Sequence, residues 1–112
     1  MCLRAVLKVC GVMRRLHARG ITHGDTHSGN VMVDVNEEGE VEATLLDFGL
    51  AQQDSDTARR MNDVSELATT ALEIMPTTSE LSDVRWSIMC AVDLDTLEDL
   101  LSDAIRIHDV SC

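Results

Sequence analysis

The sequence predicts a mostly α-helical domain with one small β-hairpin. Two observations carry the helices. Leu3, Val6, Leu7, Cys10, Met13 and Leu16 recur at three- and four-residue spacing, and Leu94, Leu97, Leu101, Ala104 and Ile105 do the same near the other end. A third carries the hairpin. The runs VMVDV and VEATLLDF flank the turn-like NEEGE, and their alternation puts Val31, Val33 and Val35 on one face and Val41, Ala43 and Leu45 on another.

The chain has 112 residues, which is one domain or a piece of one. A chain of this size buries roughly two-thirds of its unfolded surface, enough for one modest core. Aromatics are confined to Phe48 and Trp86, so that core must be aliphatic. The net charge of −11 argues against nucleic acid or an anionic membrane as the main partner. The charge is uneven, because Arg4, Lys8, Arg14, Arg15 and Arg19 all precede the first acidic residue, Asp25. That pattern reads either as a basic helix packed beside an acidic remainder or as a positive surface for an anionic ligand or partner segment. Cys2, Cys10, Cys90 and Cys112 form no C-x-x-C pair and read as reduced thiols of an intracellular protein. Residues 1–19 carry too many Arg and Lys for a signal peptide or a membrane span.

In chain order, residues 2–18 form the first expected helix, with Gly20 as its terminator. Residues 21–30 are polar and turn-rich, and the hairpin follows. Residues 54–62 read as a loop. DVSELATTALEIM (63–75) reads as a helix opened by an Asp63/Glu66 capping box and stopped by Pro76. Residues 80–91 suggest a further helix, and Asp95 with Glu98 offers a second capping pair for the last one.

The polar loop GITHGDTHSGNV holds His23, Asp25, His27 and Asn30 within eight residues. One reading is a metallohydrolase-like zinc site. On an extended segment H-x-D-x-H turns three ligand types to one side, although a further ligand is then needed and His108 is the only later histidine. The other reading takes in Asp47-Phe48-Gly49 beyond the hairpin. Phosphoryl transfer needs one carboxylate for the attacking hydroxyl, plus an amide oxygen and a second carboxylate for magnesium.

Taken together, LHARGITHGDTHSGNVMVD and ATLLDFGLA resemble the catalytic and magnesium-binding segments of the protein-kinase-like superfamily. The resemblance covers about residues 2–75. It implies a partial kinase-like domain over 1–112: the large C-terminal lobe, with unaligned helices from about 76. It implies Asp25 as catalytic base or hydroxyl positioner and Asn30 and Asp47 as magnesium ligands, with ATP and Mg2+ as cofactors. His23, Phe48 and Gly49 become structural support of the loop, and Asp63 an anchor for the loop backbone. His27 stands where many protein kinases have a phosphate-contacting lysine, so it is either a phosphate contact or a brace. The HGDxHxGN wording is similar to that of aminoglycoside phosphotransferases and choline kinases.

The sequence also departs from that family. It has no G-x-G-x-x-G, and its one lysine, Lys8, lies inside the first helix, so the N-terminal β lobe is expected to be missing. Only sixteen positions separate Asp47 from Asp63, and the lone Pro76 leaves no Ala-Pro-Glu motif. This compact form is similar to the kinase of the KEOPS complex. Gly24 replaces the arginine that receives an activation-loop phosphate, so phosphorylation at Ser55 or Thr57 is not expected to activate. The functional expectation is an ATP- and Mg-dependent phosphotransferase acting on a hydroxyl, by family size a protein serine or threonine, and weak or inactive alone. It would be completed by a separate small lobe or protein partner. The alternative is a non-catalytic, kinase-derived binding module whose lobe-facing surface is exposed and apolar.

Overall fold

The computed structural model describes residues 2–49, 51–53 and 56–107. Helix α1 (Leu3–Ala18) forms over the predicted stretch, with Leu3, Val6, Val9, Cys10 and Met13 buried along one side. It ends where Gly20 takes φ +72°, a conformation open to glycine at little cost, and donates its N–H to the His17 carbonyl at 3.0 Å.

The predicted hairpin is present as β2 (Val31–Val35) and β3 (Val41–Leu45). Its antiparallel register pairs Val31 with Leu45, Val33 with Ala43 and Val35 with Val41, so both predicted faces are one face. Val41 and Leu45 on that face are buried, and β3 lies against α1. The turn is built by Asn36, whose side-chain oxygen accepts the N–H groups of Glu38 and Glu40, while Gly39 takes φ +81°. A second strand pair joins β1 (Ile21–Thr22) to β4 (Gln52–Gln53), with Ile21 opposite Gln53. Strands of two residues carry no periodicity, so the sequence showed neither.

Helix α2 (Thr57–Ile74) corrects the reading of 54–62 as a loop. Its N-cap is Asp56, whose carboxylate accepts the Ala58 N–H at 2.9 Å. The opening turns are mostly exposed, which removed the apolar stripe that marks a helix. Thr57 is therefore the first helical residue, and Asp63 lies in mid-helix rather than at a cap. Asp54 and Ser55 fall outside the described residues, as do Leu50, His108 and Cys112.

Beyond Pro76, α3 (Ser82–Met89) occupies the expected region, and its Arg85 donates to the terminal carbonyls of α2 at Leu72 (3.0 Å) and Met75 (3.1 Å). Helix α4 (Leu94–Ile107) is capped by Asp93, which accepts the Thr96 N–H at 2.7 Å. The expected Asp95/Glu98 capping pair instead reaches across to α1, where Arg14 meets each of the two carboxylates at 2.6 Å. Part of the basic first helix is thus neutralised by the acidic last one.

The core is aliphatic. Met13 of α1, Leu67 and Ala71 of α2, Ile88 of α3 and Leu97 and Leu101 of α4 meet in one cluster. The fold is mostly helical with two small antiparallel strand pairs, and the described residues contain no larger sheet of the kind that closes a kinase N-terminal lobe. No helix among them is long and apolar enough to cross a membrane.

Cysteine usage differs from the expectation of four thiols: Cys2 is disulfide-bonded, while Cys10 and Cys90 are free. Burial, aided by the Glu98 charge, pushes the Cys10 thiol from 9.0 up to about 12. A folded-state value above the unfolded one favours folding below pH 9, and that contribution is lost as pH rises from 9.0 towards about 12. Iodoacetamide at pH 8 is therefore expected to label exposed Cys90 promptly and Cys10 only as the protein unfolds. Equal labelling rates in the native state, read by peptide mass spectrometry, would contradict this packing.

Candidate active site

The loop between β1 and β2 rests on one buried carboxylate. Asp63, fully buried on α2, accepts the His23 N–H at 3.0 Å through Oδ2 and the Gly24 N–H at 2.9 Å through Oδ1. Its Oδ2 also meets His17 Nε2 at 2.9 Å. The D-x-x-E spacing that suggested a helix cap thus serves a tertiary anchor instead. Thr26 adds a hydroxyl bond of 3.3 Å to the Asp63 carbonyl.

His23 is fully buried, and both of its ring nitrogens are used by the protein. Nδ1 accepts the Asp25 N–H at 3.1 Å, which puts the ring proton on Nε2, where it is donated to the Leu46 carbonyl at 2.9 Å. The ring meets Phe48 edge to face at a centroid distance of 4.8 Å. His23 therefore ties the loop to the residues leading into Asp47. This corrects the zinc reading. H-x-D-x-H does not present three free ligands, and no group of three His, Cys, Asp or Glu suited to a metal occurs among the described residues.

Asp25 and Asn30 come together. The Asn30 amide nitrogen donates to the Asp25 carboxylate at 2.9 Å and to the Asp25 carbonyl at 2.8 Å. With both amide hydrogens so used, Oδ1 is the atom of Asn30 left for a further ligand. The Asn30 carbonyl accepts the Leu46 N–H at 2.7 Å, which brings the segment carrying Asp47 alongside the loop. Asp47 is exposed and takes φ +53°, a left-handed conformation that costs about 1 kcal/mol or more for a residue with a Cβ. Its Oδ1 accepts the Gly49 N–H at 3.1 Å.

His27 is held by its own loop. Nδ1 accepts the Gly29 N–H at 3.0 Å, so Nε2 carries the proton and faces Asp25 Oδ1 at 3.3 Å. The equal 3.3 Å approach of Asn30 Nδ2 to His27 Nε2 then sets donor against donor, and Asp25 is the acceptor for both. A Cβ on Gly29 would lie 2.9 Å from the His27 ring.

The sequence reading missed four contributors to the site. His17 supports Asp63 from the last turn of α1, and nothing in a helix pattern marks such a role. Met32 and Leu46 are exposed on the outer side of the hairpin, next to Asn30 and Asp47, and Phe48 is 48% exposed beside them. Their signal was apolar residues at outward positions otherwise held by Asp34, Glu42 and Thr44. Glu66, one turn beyond Asp63, has its carboxyl pushed up by burial and then by Asp63 and Asp25, while the Thr26 amide opposes the rise.

Comparison with known proteins identifies a family. The model of the lipopolysaccharide kinase (Kdo/WaaP) family matches residues 3–91, from the start of α1 to just beyond α3. The chain belongs to that family, and through it to the protein-kinase-like superfamily. A search of curated proteins finds no match.

Two substitutions test the site's construction. Asp63→Ala leaves buried N–H groups unpaired and is expected to cost about 3–5 kcal/mol in urea unfolding. Full stability would show that the loop does not depend on this anchor. Gly29→Ala is expected to displace the half-exposed His27 ring at a stability cost below about 1 kcal/mol. Long-range 1H–15N spectra would then show loss of the single Nε2–H tautomer; an unchanged tautomer would mean that the loop does not depend on a bare Cα there.

Proposed function

We propose that the protein is a phosphotransferase that uses ATP and magnesium to phosphorylate a hydroxyl. The single observation that carries this reading is the bonded Asp25–Asn30 pair, with Asp47 brought alongside through the Asn30–Leu46 link. Asp25 would accept or orient the proton of the attacking hydroxyl. The donor set suits a hard cation, since Asn30 contributes an amide oxygen and Asp47 an exposed carboxylate. A bound magnesium–ATP complex would supply the phosphoryl group and offset its charge. His23, Phe48, Gly49 and Asp63 would hold the loop in shape.

His27 has two remaining roles. Its orientation onto Asp25 favours bracing the carboxylate, while its 57% exposed side chain leaves it open to a phosphate. Met32 and Leu46 offer an apolar floor for the nucleotide base. The family description directs the acceptor towards a lipopolysaccharide hydroxyl rather than the protein serine or threonine expected by family size. As a partial kinase-like domain, these 112 residues would need a small lobe in addition for full activity, and intracellular ATP would be the donor.

The exposed Met32, Leu46 and Phe48 also favour a second reading, in which this face docks a protein partner without chemistry. Thermal stability measured during a magnesium–ATP titration separates the two. The catalytic reading expects a saturable rise in melting temperature that Asp47→Ala or Asn30→Ala abolishes and Asp25→Asn leaves intact. No rise at millimolar nucleotide would sink it in favour of the docking module.

A further inference from the structure

A cleft of about 440 Å3 lies away from the loop, between the end of α1, the start of α2 and the start of α4. Its body is apolar, formed by Ala18, Met61, Val64, Val92 and Leu94, with His17, Thr57 and Arg60 among the polar lining. That size and mixture are typical of small-molecule sites. On α2, Thr57, Arg60, Met61 and Val64 share one stripe at i, i+3, i+4 and i+7.

The charges lining the cleft are answered by the protein, with one exception. Arg14 binds Asp95 and Glu98, His17 meets Asp63, and Asp93 is tied to the Thr96 amide. The half-buried Arg60 side chain has no such partner among the described residues. Its Nε is the one fully buried side-chain polar atom without a hydrogen-bond partner among the described residues. A buried guanidinium nitrogen left without a hydrogen bond is costly, and the planar fork of arginine matches a carboxylate or phosphate.

We propose that this cleft binds a small ligand with an oxyanion head and a compact apolar body, the head pairing with Arg60. The site is separate from the phosphotransfer reading and stands whether or not that reading holds. It also touches the active loop indirectly, because His17 lines the cleft and bonds the carboxylate that holds His23 and Gly24. Occupancy would therefore be felt at the loop.

The test is a titration of the 15N-labelled chain with benzoate, with phenyl phosphate and with neutral benzyl alcohol. The two anions are expected to give saturable shifts in residues 57–64 and 92–95, with smaller ones at His23 and Gly24. Arg60→Met should weaken anion binding at least about tenfold. A preference between benzoate and phenyl phosphate identifies the head group. Benzyl alcohol binding as tightly as either anion, or no saturable shift at millimolar probe, would overturn the proposal. Unliganded Arg60→Met should melt no lower than wild type, because it removes an unpaired charge. A lower melting temperature would mean that Arg60 already has a partner, and would overturn the proposal as well.

Discussion

The Asp63 carboxylate is the contact on which the loop geometry depends. It sits at zero exposure in the middle of α2 and meets one side chain of α1 and two backbone amides of the loop. Removed from water, each of these contacts is worth more than at the surface, and each would be costly to leave unmade. The carboxylate can reach all three only because the aliphatic seam of α1, α2 and α4 closes beneath it. Packing energy is thereby converted into the placement of a polar loop.

Above that anchor the site is layered by exposure. His23 is buried and fully satisfied, Asn30 is nearly buried, and Asp25 and His27 are progressively more open. Asp47 lies on the open rim in a strained backbone conformation. The groups available to a ligand are thus the outer ones, each held by a deeper one. Met32, Leu46 and Phe48 extend the rim with exposed apolar surface, which is costly in water unless something covers it.

Charge follows a local rather than a global logic. A chain with net charge −11 still holds its basic first helix against an acidic last helix through Arg14. Among the described residues the same accounting isolates Arg60, because the other charges lining its cleft are already paired. Net charge alone indicated neither the bridge nor the orphan. Both depend on which side chains share a cleft, and only folding decides that.

What the sequence determined by itself was periodicity and short-range chemistry. It showed α1 and its Gly20 stop, the two hairpin faces, the end of α2 at Pro76 and the apolar seam of α4, since each is written in spacing along one segment. It also brought Asp25, Asn30 and Asp47 forward as a set, through motif wording. Tertiary structure decided what those residues touch. From local spacing, Asp63 with Glu66 and Asp95 with Glu98 read as caps, because capping is the local use of a carboxylate; only the family resemblance put Asp63 beneath the loop. Asp63 proved an anchor for the loop, and Asp95 and Glu98 a clamp on Arg14, because partners about forty and eighty positions away in the chain were brought within hydrogen-bond reach. The exposed start of α2 and the two-residue strands were invisible for the converse reason: neither has enough buried periodic surface to leave a pattern.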